Sequence, residues 1–330
     1  MSLRTRDFDY PLPPELIASR PLAEREASRM LVVRRDTGVI EHRLFREFPE
    51  FLKPTDRLVL NDTKVIPARV FSDDGKIELL CLDLLAACEW RCLVRPGKRL
   101  KPGRTLTVGG IRGTVTAVCD NGDRLIQWDA PVDLKQHGHL ALPHYMGRPD
   151  EALDTERYQT VFARQEGAIA APTAGLHFTP ELLAGLPHSF LTLHVGVGTF
   201  RPVSADWIRD HVMHTERYEV PAATTAQVNA AGRVMAVGTT VTRVLEALHA
   251  PTSGERLPPG THRGETSIFI HPPYQFGVIS GLLTNFHLPQ STLLMLVCAF
   301  AGRELVLEAY RQAVAARYRF YSYGDCMVLV

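Results

Sequence analysis

The feature that most restricts the folding of this chain is a change of hydrophobic texture partway along it. Over residues 70–142 short alternating apolar runs are cut by the turn signals Asp73-Asp74-Gly75, Arg95-Pro96-Gly97, Lys101-Pro102-Gly103, Gly109-Gly110 and Asn121-Gly122-Asp123. No sustained helical period survives there, and many short strands at close spacing predict a small β-barrel or sandwich. After residue 150 the pattern changes. Helices are predicted over 154–163, 180–183, 205–209, 222–231, 242–248, 292–302 and 304–317, with strands over 190–195, 233–237, 267–270 and 282–286. Such alternation builds an α/β core on a largely parallel or mixed sheet. Ahead of the insert stand a proline-led short helix at 13–17, a hairpin of 30–33 with 39–44, and a buried strand at 57–60. The expected fold is therefore a mixed α/β core, discontinuous over 1–69 and 143–330, with an inserted all-β, barrel-like domain at 70–142. Residues 251–265, rich in proline, glycine and charge, read as a loop.

Charge narrows the classes of function. The 37 lysines and arginines nearly cancel the 36 aspartates and glutamates, so no global field announces a polyanionic partner and any nucleic-acid contact must be local. The six cysteines form no Cys-x-x-Cys pair and read as reduced, mostly buried thiols. No apolar leader opens the chain, and the longest apolar run, 293–301, is far too short to span a bilayer. These features predict a soluble cytoplasmic protein, taken as a monomer, with no membrane contact. The fingerprints of dinucleotide sites, P-loops and the hydrolase nucleophile elbow are missing from the sequence.

Polar groups cluster at the ends of apolar runs. Residues 168–178 and 191–200 are rich in small residues and place Thr173, His177, His194 and Thr199 where they face one cavity, the alternative being satisfied core polar residues. In 211–216, His211 and His214 stand three apart beside Glu216, a spacing that puts both imidazoles on one face of a helix. That is metal-like, with His177, His194 or His287 to complete a set, though acid–base work is the stronger reading. Residues 237–246 read as strand, glycine-threonine turn and helix, so Thr239, Thr240 and Arg243 can hold a carboxylate or phosphate; the plain alternative is an ordinary cap with an Arg243–Glu246 surface pair. Asn285, His287 and Ser291 again end a strand and open a helix, and that helix is apolar on nearly every face, giving the site a rigid base. Tyr323 and Asp325 close an aromatic-rich stretch suited to stacking on a base or to core packing. In the insert, Arg91, Arg95, Lys98, Arg99, Lys101 and Arg104 cluster beside Trp90; they are either solvated hairpin tips or a grip on a phosphate backbone.

Taken together, several long motifs in one order resemble the QueA family, S-adenosylmethionine:tRNA ribosyltransferase-isomerases of queuosine biosynthesis. The resemblance covers nearly the whole chain: Asp9-Tyr10-Pro11-Leu12-Pro13, Asn61-Asp62-Thr63-Lys64-Val65-Ile66-Pro67-Ala68-Arg69, the runs at 168–178 and 191–200, residues 211–216, residues 284–291, Tyr318-Arg319-Phe320 and Ser322-Tyr323-Gly324-Asp325. Departures are few: Val241 where the family usually has serine, Cys326 where it has a small residue, and a shortened link at 184–189.

The resemblance implies a reaction. The ribosyl part of S-adenosylmethionine is transferred and isomerised onto 7-aminomethyl-7-deazaguanine at the tRNA wobble position, giving epoxyqueuosine-tRNA and releasing adenine and methionine. The sulfonium acidifies the adjacent ribose protons, so an imidazole serves as base; no metal or other cofactor is expected, S-adenosylmethionine being a substrate. Expected roles are His177 or His214 as base, Glu216 orienting an imidazole, and Asp325 or His287 serving adenine. Thr239, Thr240 and Arg243 are expected on the methionine carboxylate, with Thr173, His194, Thr199, Asn285, Ser291 and Tyr323 completing the substrate site. Asn61, Asp62, Lys64 and Arg69, at the junction with the insert, and Arg95, Lys98, Arg99 and Lys101 on it, are expected to meet tRNA. Two rivals stay open: a metal-dependent hydrolase built on His194, His211 and His214, and a non-catalytic tRNA-binding module.

Overall fold

The computed structural model describes residues 3–196, 198, 203, 205–250 and 254–330. Its first strands, β1 (Arg29–Val33), β2 (Ile40–Leu44) and β3 (Asp56–Asn61), are the expected hairpin and buried strand. The short β4 (Thr63–Val65) leads into β5 (Arg69–Phe71), β6 (Glu78–Ala86), β7 (Glu89–Arg95), β8 (Thr105–Val108), β9 (Ile111–Val118) and β10 (Arg124–Trp128). Then come helices α1 (Leu134–His137) and α2 (Ala152–Arg157), strand β11 (Gln165–Ala168), helix α3 (Pro180–Ala184), and strands β12 (His188–Leu193) and β13 (Glu216–Val220). The chain continues through α4 (Ala222–Ala230), β14 (Arg233–Val237), α5 (Thr239–Leu248), β15 (His262–Thr266), β16 (Gly281–Asn285), α6 (Thr292–Ala301), α7 (Arg303–Ala315) and β17 (Cys326–Leu329).

A nine-stranded mixed sheet, in the order β15-β13-β12-β3-β14-β16-β17-β1-β2, carries the core. Its middle is parallel: β3 pairs with β12 and β14, and β14 with β16. Period-two alternation decides which face each side chain meets. Leu31, Val33, Val59, Val234 and Ala236 join one core with α5, α6 and α7, while Met30, Val32, Leu58, Leu60, Met235 and Val237 join another with Phe45, Phe48, Phe178 and Leu183. Strands buried on both faces must be apolar throughout, which is why these segments read as continuous hydrophobic runs. At the start of α6, Ser291 Oγ accepts from Leu294 N at 3.2 Å and caps the helix. In α5, buried Glu246 accepts from the amides of Gly277, Val278 and Ile279 at 2.9–3.1 Å, tying the helix to the approach to β16.

The second sheet is antiparallel and six-stranded, in the order β5-β6-β7-β10-β9-β8. It has its own core around Trp90 and Trp128, whose ring centroids lie 5.0 Å apart. Its end strands β5 and β8 are edges of the ladder and approach each other through single bonds: Asp73 N donates to Thr107 O at 2.8 Å, and the Asp73 carboxylate accepts from the amides of Gly109 and Gly110 at 2.7 and 3.0 Å. The sheet is curled but not a closed barrel.

Several expected elements shift. The helix at 154–163 is confined to α2, because the Gln159 carboxamide pairs with both backbone groups of Val65, at 2.8 and 3.0 Å, and draws the chain out of helical geometry. A strand forms at β15, inside the stretch that reads as a loop, and not at 267–270; the free edge of β13 satisfies its backbone, and Arg263 pairs with Glu219 across the two strands at 2.7 Å. Only a single 3₁₀ turn, Ile208–Asp210, stands where a helix over 205–209 was expected.

Packing in the six-stranded sheet has a direct test. A Cβ at Gly113 meets Trp128 Cε3 and Cζ3 at 2.7 Å and Ile126 Cγ2 at 3.0 Å. Gly113→Ala is expected to lower stability by about 1–3 kcal/mol, the usual cost of overpacking, as read from urea unfolding followed by tryptophan fluorescence. An unchanged midpoint refutes the close packing.

Candidate active site

The carboxyl ends of parallel strands are where ligands bind in open α/β sheets, since the loops there diverge and helices begin with their amides exposed. Here β14 ends at Val237 and α5 begins after Gly238 with Thr239 and Thr240, β16 ends at Asn285, and the run after β11 adds residues 170–173. These ends enclose a cavity of about 290 Å³, which His287, Ser291, Tyr145, Tyr158, Tyr321 and Ser322 also line. Of the residues singled out from sequence, Thr173, Thr239, Thr240, Asn285, His287 and Ser291 meet in this one wall.

His177 stands directly behind it. The Asn285 Nδ2 group donates to Tyr321 O at 2.9 Å, so its Oδ1 must face His177 Nε2, 3.1 Å away. Nε2 therefore carries the proton, and the basic lone pair of Nδ1 points at Ser28 Oγ, 3.0 Å away and outside the cavity. Complete burial holds the His177 pKa down to about 4, so the ring is neutral. His287 is likewise pushed down to about 3 by burial, and its Nε2 meets Thr284 Oγ1 at 2.9 Å. Two non-glycine residues of the lining hold left-handed backbone, Tyr321 at φ 73° and Gln290 at φ 59°. Such strain of about 1–3 kcal/mol persists only where surrounding bonds enforce it, and the Asn285–Tyr321 bond does so here.

Other expected residues lie elsewhere. The segment 211–216 is extended rather than helical, so His211 and His214 do not share a helix face. His214 is exposed, its ring packed on Gly198, which lines the cavity. Glu216 orients no imidazole; it forms a buried ion pair with Arg243 and accepts from Gly196 N at 3.2 Å. Arg243 is thereby turned from the cavity, with its Nε on Ile268 O at 3.2 Å. His194 bonds Thr63 Oγ1 at 2.8 Å and packs on Gly167, and burial lowers its pKa. Asp325 accepts from the amides of Arg29 and Arg319 at 2.9 and 2.8 Å, binding β1 to the chain before β17 rather than reaching the cavity. Tyr323 donates to Asp154 at 2.7 Å. Thr199 lies outside the described residues. Among the described residues no three His, Cys, Asp or Glu groups converge as a metal site, and His194, His211 and His214 do not assemble.

At the junction, Asn61 is buried, with its carboxamide on the backbone of Leu193 at 2.9 and 3.0 Å, and Asp62 accepts from Thr192 at 2.6 Å. Lys64 pairs with Glu166 and Arg69 with Glu78, each at 3.1 Å. By contrast Arg95, Lys98, Arg99, Lys101 and Arg104 are exposed, and among the described residues no carboxylate pairs with them. Tyr321 and Ser322 belong to the aromatic stretch suited to stacking on a base, but no motif points to Tyr145 or Tyr158. Their signal was weak, since tyrosines on irregular segments look alike whether they wall a cavity or cap a core.

Comparison with known proteins agrees over the full chain. Residues 5–329 match the family described as queuosine biosynthesis protein. The S-adenosylmethionine:tRNA ribosyltransferase-isomerase of Thermotoga maritima is 45% identical, over 99% of this chain and 100% of the relative. Its namesake in Geobacter metallireducens is 48% identical, over 98% of this chain and 99% of the relative. A crystal structure of S-adenosylmethionine tRNA ribosyltransferase from Thermotoga maritima superposes with a TM-score of 0.56 at 38% identity, covering 98% of this chain and 100% of that one.

The buried imidazoles set an acid limit on stability. With folded values near 4 and 3 against 6.5 when unfolded, the unfolded chain binds more protons below pH 6.5. The contribution of these neutral rings is complete above pH 6.5 and is lost as pH falls through about 4 and then 3. The urea midpoint is expected to drop over that window, and His177→Gln, which keeps a donor for Asn285 without a titrating ring, is expected to flatten the drop. Parallel pH profiles for both proteins contradict the assignment.

Proposed function

Because the chain belongs to the family of queuosine biosynthesis proteins, we propose that it is an S-adenosylmethionine:tRNA ribosyltransferase-isomerase. It moves and isomerises the ribosyl group of S-adenosylmethionine onto 7-aminomethyl-7-deazaguanine at the tRNA wobble position, yielding epoxyqueuosine-tRNA, adenine and methionine. The observation that carries this reading, beside the full-length family match, is the cavity at the strand ends, of small-ligand size and walled by tyrosine faces, hydroxyls and a helix N-terminus.

The chemistry divides among the residues present. Amides and hydroxyls at Thr239 and Thr240, which line the cavity at the start of α5, receive the methionine carboxylate. Arg243, already neutralised by Glu216, has no part in that contact. Of the two imidazoles first considered as base, His214 takes the proton made acidic by the sulfonium, since the Nδ1 lone pair of His177 faces Ser28. His177 acts through Asn285 as a positioning residue, and His287 offers the leaving adenine an uncharged ring. Adenine departs with the glycosidic electrons and the deprotonated aminomethyl nitrogen takes its place on the ribosyl carbon; the isomerisation ends as a ribosyl oxygen closes the epoxide at the sulfur-bearing carbon, and methionine leaves with the electrons of the broken C–S bond. S-adenosylmethionine is consumed as a substrate, and the reaction calls for no metal or redox cofactor.

Residues 70–142 form an inserted domain within the discontinuous core, and its exposed cations Arg95, Lys98, Arg99 and Lys101 hold the tRNA backbone. The enzyme works in the cytoplasm as a monomer; no helix among the described residues is long and apolar enough to cross a membrane.

The decisive assay is the release of free adenine from S-adenosylmethionine. Adenine is expected only when tRNA bearing the aminomethyl precursor is added, and its absence under those conditions sinks the reading. Stoichiometric transition metal with activity lost to chelator supports the hydrolase instead. For the insert, Lys98→Ala/Arg99→Ala/Lys101→Ala is expected to weaken tRNA binding and to reduce the slope of log affinity against log salt by about 2–3, roughly one per phosphate contact. An unchanged slope removes these cations from the interface.

A further inference from the structure

Successive strand residues face opposite sides of a sheet, and at the end of β16 two neighbours each meet an imidazole. Asn285 meets His177, and Thr284 Oγ1 lies 2.9 Å from His287 Nε2. The main chain of His287 is held on both sides. Its N–H donates to Tyr310 Oη at 2.9 Å, and its carbonyl accepts from Tyr10 Oη at 2.5 Å. The tautomer of the ring follows from the threonine hydroxyl. Thr284 is 1% exposed, and among the described residues His287 Nε2 is the one acceptor its hydroxyl meets. With the proton on Nε2, the buried hydroxyl hydrogen is left unmatched, at a cost of about 1–3 kcal/mol. The hydroxyl therefore donates to Nε2, and the neutral ring carries its proton on Nδ1. Threonine suits this task because its branched side chain is stiff at χ1. Nδ1 itself is bonded to nothing among the described residues, yet it is not an enclosed atom. The ring is 9% exposed, and the cavity is what it lines.

We propose that Thr284 is a positioning residue that fixes His287 in the tautomer presenting Nδ1–H to the cavity, where the ring donates a hydrogen bond to an acceptor nitrogen of the departing purine. This rests on the reading of the cavity as the site for S-adenosylmethionine. As the glycosidic bond breaks, its electron pair passes to adenine and the acceptor nitrogens of the purine gain negative charge. A fixed donor stabilises that charge more than it stabilises the uncharged purine, so it acts on the rate more than on binding. The imidazole keeps its proton throughout, and adenine takes one from water after release. Neutrality matters for a second reason. An imidazolium at this place repels the sulfonium of the substrate, whereas a neutral N–H donor does not.

The tautomer is read directly from the nitrogen chemical shifts of isotope-labelled histidine in the full-length protein, with the His287 signals identified by their loss in His287→Gln. Wild-type protein and Thr284→Ser are expected to carry the proton on Nδ1, and excess free adenine is expected to move that signal. Thr284→Val, which keeps the shape without the hydroxyl, is expected to show a mixture of tautomers. In adenine release, Thr284→Val is expected to lower kcat about tenfold while the KM for S-adenosylmethionine stays within about twofold, the pattern of an interaction gained in the transition state. Thr284→Ser is expected to restore most of kcat, a rescue that a merely structural role for the methyl group does not give. A proton on Nε2 in wild-type protein overturns the proposal, as does a His287 signal unmoved by adenine or an unchanged kcat in Thr284→Val. Failure of wild-type protein to release adenine from S-adenosylmethionine strikes the proposed activity instead, because the tautomer and the adenine titration judge Thr284 without turnover.

Discussion

The carboxamide of Asn285, at the carboxyl end of β16, joins three stretches that are remote in sequence. Its amino group reaches the carbonyl of Tyr321, near the end of the chain, and its oxygen reaches His177, which in turn meets Ser28 just before β1. Each group in this row is buried, so each bond acts in a low dielectric and an unmet partner is expensive. The consequence is directional. One carbonyl fixes the orientation of the carboxamide, the carboxamide fixes the tautomer of the imidazole, and the same bond holds Tyr321 in a left-handed turn that presents Tyr321 and Ser322 to the cavity. A histidine that looks catalytic in sequence is thus hydrogen-bonded at both ring nitrogens, to Asn285 and to Ser28.

The cavity owes its position to the parallel centre of the nine-stranded sheet. Because β14 and β16 run side by side in the same direction, their ends bring the start of α5 and the Asn285 turn together without long connections. Around that point the strands are apolar up to their last residues, and the polar groups come from the end of β16, Thr284 and Asn285, and from the segments that follow the strands. The buried pair Glu216–Arg243 then has an electrostatic effect of its own. It cancels the one guanidinium on the first turns of α5, so recognition of an anion at this helix falls to backbone amides and the two threonine hydroxyls. Under the proposed function these neutral donors are the ones that meet the methionine carboxylate.

How much of this was legible in the sequence depended on the range of the interaction involved. Met30 to Val33, Leu58 to Leu60 and Val234 to Val237 were readable as strands because a segment buried on both faces has to be apolar at every position. That Thr239, Thr240, Asn285, His287 and Ser291 gather around one cavity was readable because polar groups ending an apolar strand need partners somewhere. Gln159, in contrast, ended a helix by bonding Val65, and Glu216 chose Arg243 over an imidazole; both are pairings across the fold that leave no local pattern. The strand at β15 escaped for a similar reason. Its composition is that of a loop, and the open edge of β13 supplied the hydrogen bonds that its own sequence did not advertise. What the sequence could not show is that the Nδ1 lone pair of His177 turns to Ser28, since the direction of a lone pair is a property of the neighbours and not of the histidine.

The charge distribution poses a last question, because a chain of net charge +1 has little long-range attraction for RNA. At physiological salt the Debye length is about 8 Å, so only cations close to the phosphates contribute to binding. The insert meets that condition by projecting Arg95, Lys98, Arg99, Lys101 and Arg104 with no carboxylate partners, while Lys64 and Arg69 at the junction are already paired with Glu166 and Glu78. These five exposed cations lie within residues 95–104, at the end of β7 and on the connection from β7 to β8. Under the proposed function, phosphate contacts at these cations leave the choice of base to stacking and hydrogen bonding in the tyrosine-lined cavity. That division lets the site discriminate between bases, a task for which phosphate attraction, being the same for every nucleotide, supplies no information.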